Sequence, residues 1–382
     1  MVARGWGGAV RIPVEVPAED VGVGVMRSGF GVAWPILVAL LTLGLAPMLL
    51  LNFAGQQNTR DRLMELGVAN LTMRSASTAA SIDSYLQSRK REIVQVSQIP
   101  DVIAYAQNLG DKGQRDLART ALAMAATADT AYESIAILSL DGTIVAASIQ
   151  TDEGTNVRFR DYFQNARTGV GYVSEPSYSV ITNKPALFFS APVRTTDGIL
   201  VGVVRSRINL ARIWDLVEGD LGAVGAGAHA FLVDDYGIRL AVSETKGNRD
   251  KADSLIYKVI APIEHDTALR LANDKRFGQK SAEQLVVDPL PELKAVIDST
   301  ARKGATTLTF DAGGVEQRAV ATWLESKPWI YVVAMPPSSY LNAVAGPSTG
   351  FLGAVAMAAA LTLVIATWMV RWILRSQGEA MR

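Results

Sequence analysis

The sequence predicts an α+β protein. It has one long N-terminal helix, then two repeats of an antiparallel sheet, flanked by two transmembrane helices. Three observations predict this. Two uncharged apolar stretches, Phe30 to Phe53 and Phe351 to Val370, bracket the chain. From Ala54 to about Ile99 there is almost no turn chemistry: Gly67 is the only glycine after Gly55, and no proline comes before Pro100. Beyond that point a pair of hairpin patterns runs in order and then recurs.

Each apolar stretch is long enough to cross a bilayer as a helix, which takes roughly 20 residues. The first contains Pro35 and Pro47, which membrane helices tolerate better than soluble ones. A signal peptide is the alternative for this stretch. Its apolar run exceeds the usual h-region of about 7–15 residues, and no clean small-x-small cleavage site follows, so a retained helix is the preferred reading. Arg27 precedes the first stretch, and Arg371, Arg375 and Arg382 follow the second. Basic residues stay on the cytoplasmic side, so both termini are expected inside and the middle outside. Arg60 and Arg62 argue weakly the other way, but a long exported domain translocates largely regardless of charge. The expected order is a tail over 1–29, spans over 30–53 and 350–370, a large exported domain over 54–345, and a tail over 371–382. Met26, directly before Arg27, is an alternative start.

Composition narrows the function. Net charge is zero, which gives no electrostatic footprint for a nucleic-acid partner. There are no cysteines and two histidines, His229 and His265. Thiol catalysis, thiolate metal sites and disulfides are excluded. The exported domain must fold on its core alone, and roughly 290 residues bury enough apolar surface for that.

The turn-free stretch reads as one helix continuing out of the first span. Leu63, Leu66, Met73 and Ala80 fall at helical spacing; after a shift of register Ile82, Leu86, Ile93 and Val96 continue it. A second helix is expected over Arg115–Thr130. Strands follow. Ser134 to Leu140, then Thr143 to Ser148, flank Asp141-Gly142, a strong hairpin signal. Pro185 to Val193 and Gly198 to Ile208 make another, turning at Thr195–Asp197. The plan recurs: His229 to Ser243 is similar to the first hairpin, and Arg318 to Leu324 with Trp329 to Met335 is similar to the second. A helix at Ile208–Glu218 and the Gly-rich run 219–227 would join the two halves.

The most specific local pattern runs from Arg158 to Gly169: Arg-Phe-Arg-Asp-Tyr-Phe-Gln-Asn-Ala-Arg-Thr-Gly. Its physical reading stands by itself. Arg160 offers a planar fork of donors suited to a carboxylate. Tyr162 and Phe163 supply an apolar wall with one hydroxyl. Tyr178 and Lys184 lie on the next segment. A mostly apolar pocket with a few convergent polar groups is how small-ligand sites are built. The plainer readings are core for each aromatic, and an ion pair with Asp161 or Asp152 for Arg160.

With its flanks, the pattern resembles the double Cache family, extracytoplasmic ligand-binding domains of bacterial chemoreceptors, sensor histidine kinases and cyclic-dinucleotide enzymes. Arg160, Tyr162, Phe163, Ala166 and Gly169 match its R-x-Y-F-x-x-A…G segment; Ser190 to Val193, Gly198 and Gly202 to Val204 match the strands after it. The resemblance covers roughly residues 54–345. It implies two PAS-like modules, a membrane-distal one over about 100–218 and a proximal one over about 228–337. It also implies a small-molecule ligand in the distal module, a bacterial inner-membrane location, a homodimer with the long helices at its interface, and a cytoplasmic signalling partner or output domain. No cofactor or metal is implied.

One departure bears on the ligand. Amino-acid-binding members resemble one another in carrying an aspartate on the strand after the conserved glycine, where it pairs with the ligand amine. In this chain Arg207 stands there, and a cation would repel an ammonium group. Arg160, Arg207 and Lys184 together favour a mono- or dicarboxylate. The rival class is an extracytoplasmic enzyme, but no nucleophile elbow, His-based triad, phosphate loop or metal cluster is present. Asp234-Asp235 reads as a turn rather than an acid pair, because adjacent strand residues face opposite ways. A structural membrane anchor is the third reading, and it needs no pocket.

Overall fold

A computed structural model describes residues 30–219, 221–243, 257–341 and 349–379. The expected tail 1–29 and the alternative start at Met26 lie outside the described residues. The chain divides into two compact units, Thr59–Ala345 and the chain before and after it.

Helix α1 runs Phe30–Val96, as the absence of turn residues predicts. Its buried stripe differs from the predicted one in its first half. Gly67, Leu71, Ser75, Ala79, Ile82, Leu86 and Ile93 are buried, whereas Leu66 and Met73 are exposed at 66% and 65%. The buried run keeps one face by steps of three, four or seven. It was hard to see because its members Gly67, Ser75 and Ala79 are small. Small residues let the helix approach closely. The Ser75 and Thr322 hydroxyls meet at 2.7 Å, and the Asp83 carboxylate accepts the Glu325 and Ser326 amides at 2.8 Å each.

A short helix α2 (Pro100–Gln107), with proline in its first turn, precedes α3 (Lys112–Ala126). Asp111 caps α3 by accepting the Gly113 and Gln114 amides. The first sheet then forms from β1 (Tyr132–Leu138), β2 (Ile144–Ala147), β3 (Tyr172–Val173), β4 (Ser177–Tyr178), β5 (Pro185–Arg194) and β6 (Leu200–Asn209). The order is β2-β1-β6-β5-β3, with β4 also on β5, and the described pairs are antiparallel. The Asp141-Gly142 turn requires glycine: its φ is +91°, and a Cβ would stand 2.7 Å from the Arg158 Cα.

Helix α4 (Asp161–Arg167) comes between β2 and β3 in the chain, and α5 (Ala211–Glu218) follows β6. The second sheet uses β7 (His229–Val233), β8 (Arg239–Val242), β9 (Ala305–Ala312), β10 (Val315–Trp323) and β11 (Ile330–Met335). Its order, β8-β7-β11-β10-β9, repeats that of the first sheet. Helices α6 (His265–Asn273) and α7 (Pro291–Asp298) fall between β8 and β9. The last helix, α8, runs Thr349–Glu379.

The core follows from this arrangement. Leu71, Ile82, Leu86 and Ile93 of α1 join one apolar cluster that includes Ile135, Ile137, Phe189 and Val204 of the first sheet and Leu232, Val320 and Val333 of the second. Each such side chain contributes about 1.5–3 kcal/mol by leaving water. The opposite face of the first sheet is also covered. Ala136, Leu138, Phe188 and Val203 pack there with Tyr162, Phe163 and Ala166 of α4. With both faces buried, β5 reads as a near-continuous apolar run, whereas β6 turns polar from Arg205 onward.

The expected apolar stretches lie within α1 and α8. Most side chains of 30–53 are outside the described residues, and among the described residues no helix is long and apolar enough to cross a membrane.

Candidate functional site

The α4-covered face of the first sheet carries a cluster of buried polar residues, Ser134, Asp152, Arg205 and Arg207 among them. Cross-strand register places Phe188 opposite Arg207 and Ser190 opposite Arg205 on one side of β6. On the other side Ser134 stands opposite Arg207 and Ala136 opposite Arg205. Residues two apart on a strand share a face, so both arginines look toward α4 and the helical turn Gln150–Asp152.

Asp152 is their shared counter-ion. Its Oδ2 accepts the Ser134 hydroxyl at 2.7 Å and the Arg205 and Arg207 guanidiniums at 3.0 Å each. Burial pushes the Asp152 carboxyl up, but the Ser134 hydroxyl and the two guanidiniums outweigh it and hold the carboxyl below its ordinary value. Arg207 Nε also reaches Glu133 at 3.0 Å. Arg205 turns its Nη1 to the Ser134 carbonyl and hydroxyl, and its buried Nε has no partner.

Arg160 occupies the N-cap position of α4. Its Nη1 donates to the Asp274 carbonyl at 2.8 Å and to Ser177 Oγ at 3.4 Å; its Nη2 donates to the Tyr178 carbonyl at 2.6 Å. Its Nε is buried and unpaired. Among the described residues no carboxylate lies within ion-pair distance of it. Burial pulls the guanidinium down from its ordinary value, and Coulombic attraction to Tyr162, Asp161 and Asp274 offsets only part of that. The Phe159 and Phe188 rings stand 5.0 and 6.0 Å from its centre. Phe188 also stacks on Tyr162, ring centres 4.6 Å apart at 19°. Burial pushes the Tyr162 phenol up, while Arg205, Arg160 and Arg207 pull it back, so the ring stands within electrostatic reach of all three cations.

Of the residues predicted from sequence, Arg160, Tyr162 and Arg207 therefore come together around Phe188. The others are placed differently. Phe163 is fully buried as core. Tyr178 gives its carbonyl to Arg160 while its ring meets Tyr257, centres 5.4 Å apart. Lys184 is exposed on the turn that Ser179 closes, away from the buried cluster. Arg207 has the expected facing but arrives paired with Asp152 and Glu133. The plainer reading of Arg160, an ion pair with Asp161 or Asp152, does not hold either, because Asp152 is taken by Arg205 and Arg207. Sequence reasoning missed Arg205, Phe188 and Ser177, and it offered Asp152 to Arg160 rather than to Arg205 and Arg207. The spacing of Arg205 to Arg207 is a signal for the first of these, since it sets both on one face of a strand.

The family model of the Cache domain matches residues 57–344. The chain belongs to the double Cache family. The fold is also found in solved sensor domains. The V. cholerae histidine kinase DctB sensor domain superposes with a TM-score of 0.53 at 14% identity, over 73% of this chain and 98% of that one. The sensory domain of the Campylobacter jejuni chemoreceptor Tlp3, with isoleucine bound, gives 0.51 at 12% identity over 74% and 97%. At such identities the likeness shows the double Cache fold alone. No curated protein matches the sequence.

Proposed function

We propose that this double Cache chain is the non-catalytic sensory input of a two-pass bacterial membrane receptor. Its ligand is a small organic anion, a mono- or dicarboxylate, held between α4 and the first sheet. The observation that carries the reading is Arg160: a buried guanidinium with a free Nε, two aromatic neighbours and no carboxylate partner among the described residues. Buried cations are stabilised by paired anions, and a planar fork receives a carboxylate through two parallel bonds. Tyr162 and Phe188 form the apolar wall. Arg207, backed by Arg205 and Asp152, lies beyond Phe188 for the ligand's far end.

The membrane assignment rests on the two uncharged apolar stretches. Met357, Leu361, Val364 and Trp368 of α8 are exposed, a surface suited to lipid. Arg27 before the first apolar stretch, and Arg371, Arg375 and Arg382 after the second, favour cytoplasmic tails, where a signalling partner or output domain would read the helices of a homodimer. Calorimetry of the full chain in detergent tests the ligand reading. Organic acids bind and Arg160→Ala loses the binding. Tight binding of an α-amino acid, with no response to organic acids, overturns the anion assignment.

A further inference from the structure

The Arg160 guanidinium is shared between the two sheets' halves of the molecule. Its own helix belongs to the first, but the Asp274 carbonyl it holds follows α6 in the second. Neighbouring contacts hold the same segment, 274–279. The Tyr178 amide donates to the Lys275 carbonyl at 2.9 Å, and Gln279 Nε2 reaches Asn183 Oδ1 at 3.2 Å. Gly278 lies so close under Tyr178 that a Cβ would stand 3.0 Å from the ring. Lys275 adopts φ +59°, a left-handed conformation that L residues with a side chain avoid. It is the left-handed cap of α6: the Lys275 and Arg276 amides donate to the Ala272 and Leu271 carbonyls at 3.0 Å each.

A separate anchor fixes the next residue. Arg276 pairs with buried Asp234 at 2.5 Å, and Glu175, reaching over from between β3 and β4, bonds the Trp329 indole at 2.5 Å and the Lys327 ammonium. The segment is thus pinned at Arg276 and held at Asp274 and Lys275 by the candidate ligand site itself.

We propose that segment 274–279 is the receiver of the ligand state, with Arg160 as the shared donor. In the structure described, the guanidinium is divided between the Asp274 and Tyr178 carbonyls. A ligand carboxylate forms stronger, charge-assisted bonds with the same fork. As it takes the fork, the grip on the two carbonyls slackens and the segment after the α6 cap loosens. The ligand shifts the second half because it binds the slackened arrangement better. This rests on the anion reading given above, and the test separates the two.

The test is backbone hydrogen exchange on the full chain in detergent, read at the Arg276, Gly278 and Lys280 amides. The Gly278 amide closes a turn within this segment onto the Lys275 carbonyl, the Lys280 amide closes its end onto Phe277, and the Arg276 amide ties its start to Leu271 of α6. Without ligand, R160A should speed these amides about ten- to a hundredfold, as expected for losing a charged hydrogen bond, and leave β7 and β11 unchanged. Saturating succinate or acetate, whichever raises the melting temperature, should speed the same amides in the wild type and add nothing in R160A. Should R160A not fold, R160K keeps the charge without the fork and gives the same readings at smaller amplitude. Anion binding with no change in these amides overturns the receiver and leaves the ligand reading intact. Even acceleration across both sheets in R160A also overturns it. A lack of response to every anion removes the ligand reading, and the switch with it.

Discussion

Asp152 is the strongest structural commitment in the site, and Asp152→Asn measures it. The carboxylate is 1% exposed and, among the described residues, is the one acid in ion-pair contact with Arg205, itself 1% exposed. Arg207 keeps Glu133 when Asp152 is neutralised, but Arg205 keeps only Ser134 and carries an unanswered buried charge. Breaking one side of a buried pair costs about 3–5 kcal/mol. At about 2–4 °C per kcal/mol, the melting temperature falls by roughly 6–20 °C. The pH dependence supplies a second signature. The folded Asp152 carboxyl sits below its ordinary value, so its contribution is present above the unfolded value of about 3.9 and is lost as pH falls through the folded one. The gap between wild type and D152N is therefore full at neutral pH and closes below about pH 4. Glu133→Gln is the comparison: Glu133 is 24% exposed, and its pair is worth about 1 kcal/mol or less. Thermal unfolding of the three proteins between neutral and acid pH reads all of this. A D152N protein as stable as wild type, or a gap that persists unchanged into acid, refutes the buried-pair account.

Other substitutions test the frame around the site. Leu86→Ala removes a fully buried side chain from α1 and should cost about 2–5 kcal/mol in urea unfolding, whereas Leu66→Ala, on the exposed side, should cost under about 0.5. Gly142→Ala forces a Cβ onto the Arg158 backbone at φ +91° and should lower the melting temperature by several degrees, as a strained residue costing at least about 1 kcal/mol does. Glu175→Gln deprives Lys327 of its carboxylate and weakens the indole bond; a loss of about 1–3 kcal/mol is expected in the same unfolding assay.

Much of the fold was legible in the sequence because its signals are local. The Asp141-Gly142 turn, the Thr195–Asp197 turn and the recurrence of both hairpins depend on neighbouring residues, and each hairpin became an antiparallel pair of strands. The end of α1 was legible for the same reason, since Pro100 starts a new helix. The stripe of α1 was not. Leu66 and Met73 look like core by type, but the first part of the helix packs through Gly67, Leu71 and Ser75, and only the partner strand shows that. The site divides the same way. Arg160, Tyr162 and Arg207 could be named from a contiguous motif and a strand register. Asp152 could not be placed, because its value comes from meeting two arginines on β6, far along the chain. The second half's contribution through Asp274 is a backbone carbonyl, which no side-chain pattern announces.

The anion account depends on Arg160 more than on any other residue. Its most direct measurement is a calorimetric titration of the full chain with small carboxylates, with and without Arg160→Ala. Binding of a mono- or dicarboxylate to the wild type, weakened at least about a hundredfold in the variant, is the predicted result. Equal binding by both proteins, or binding of an α-amino acid alone, contradicts it.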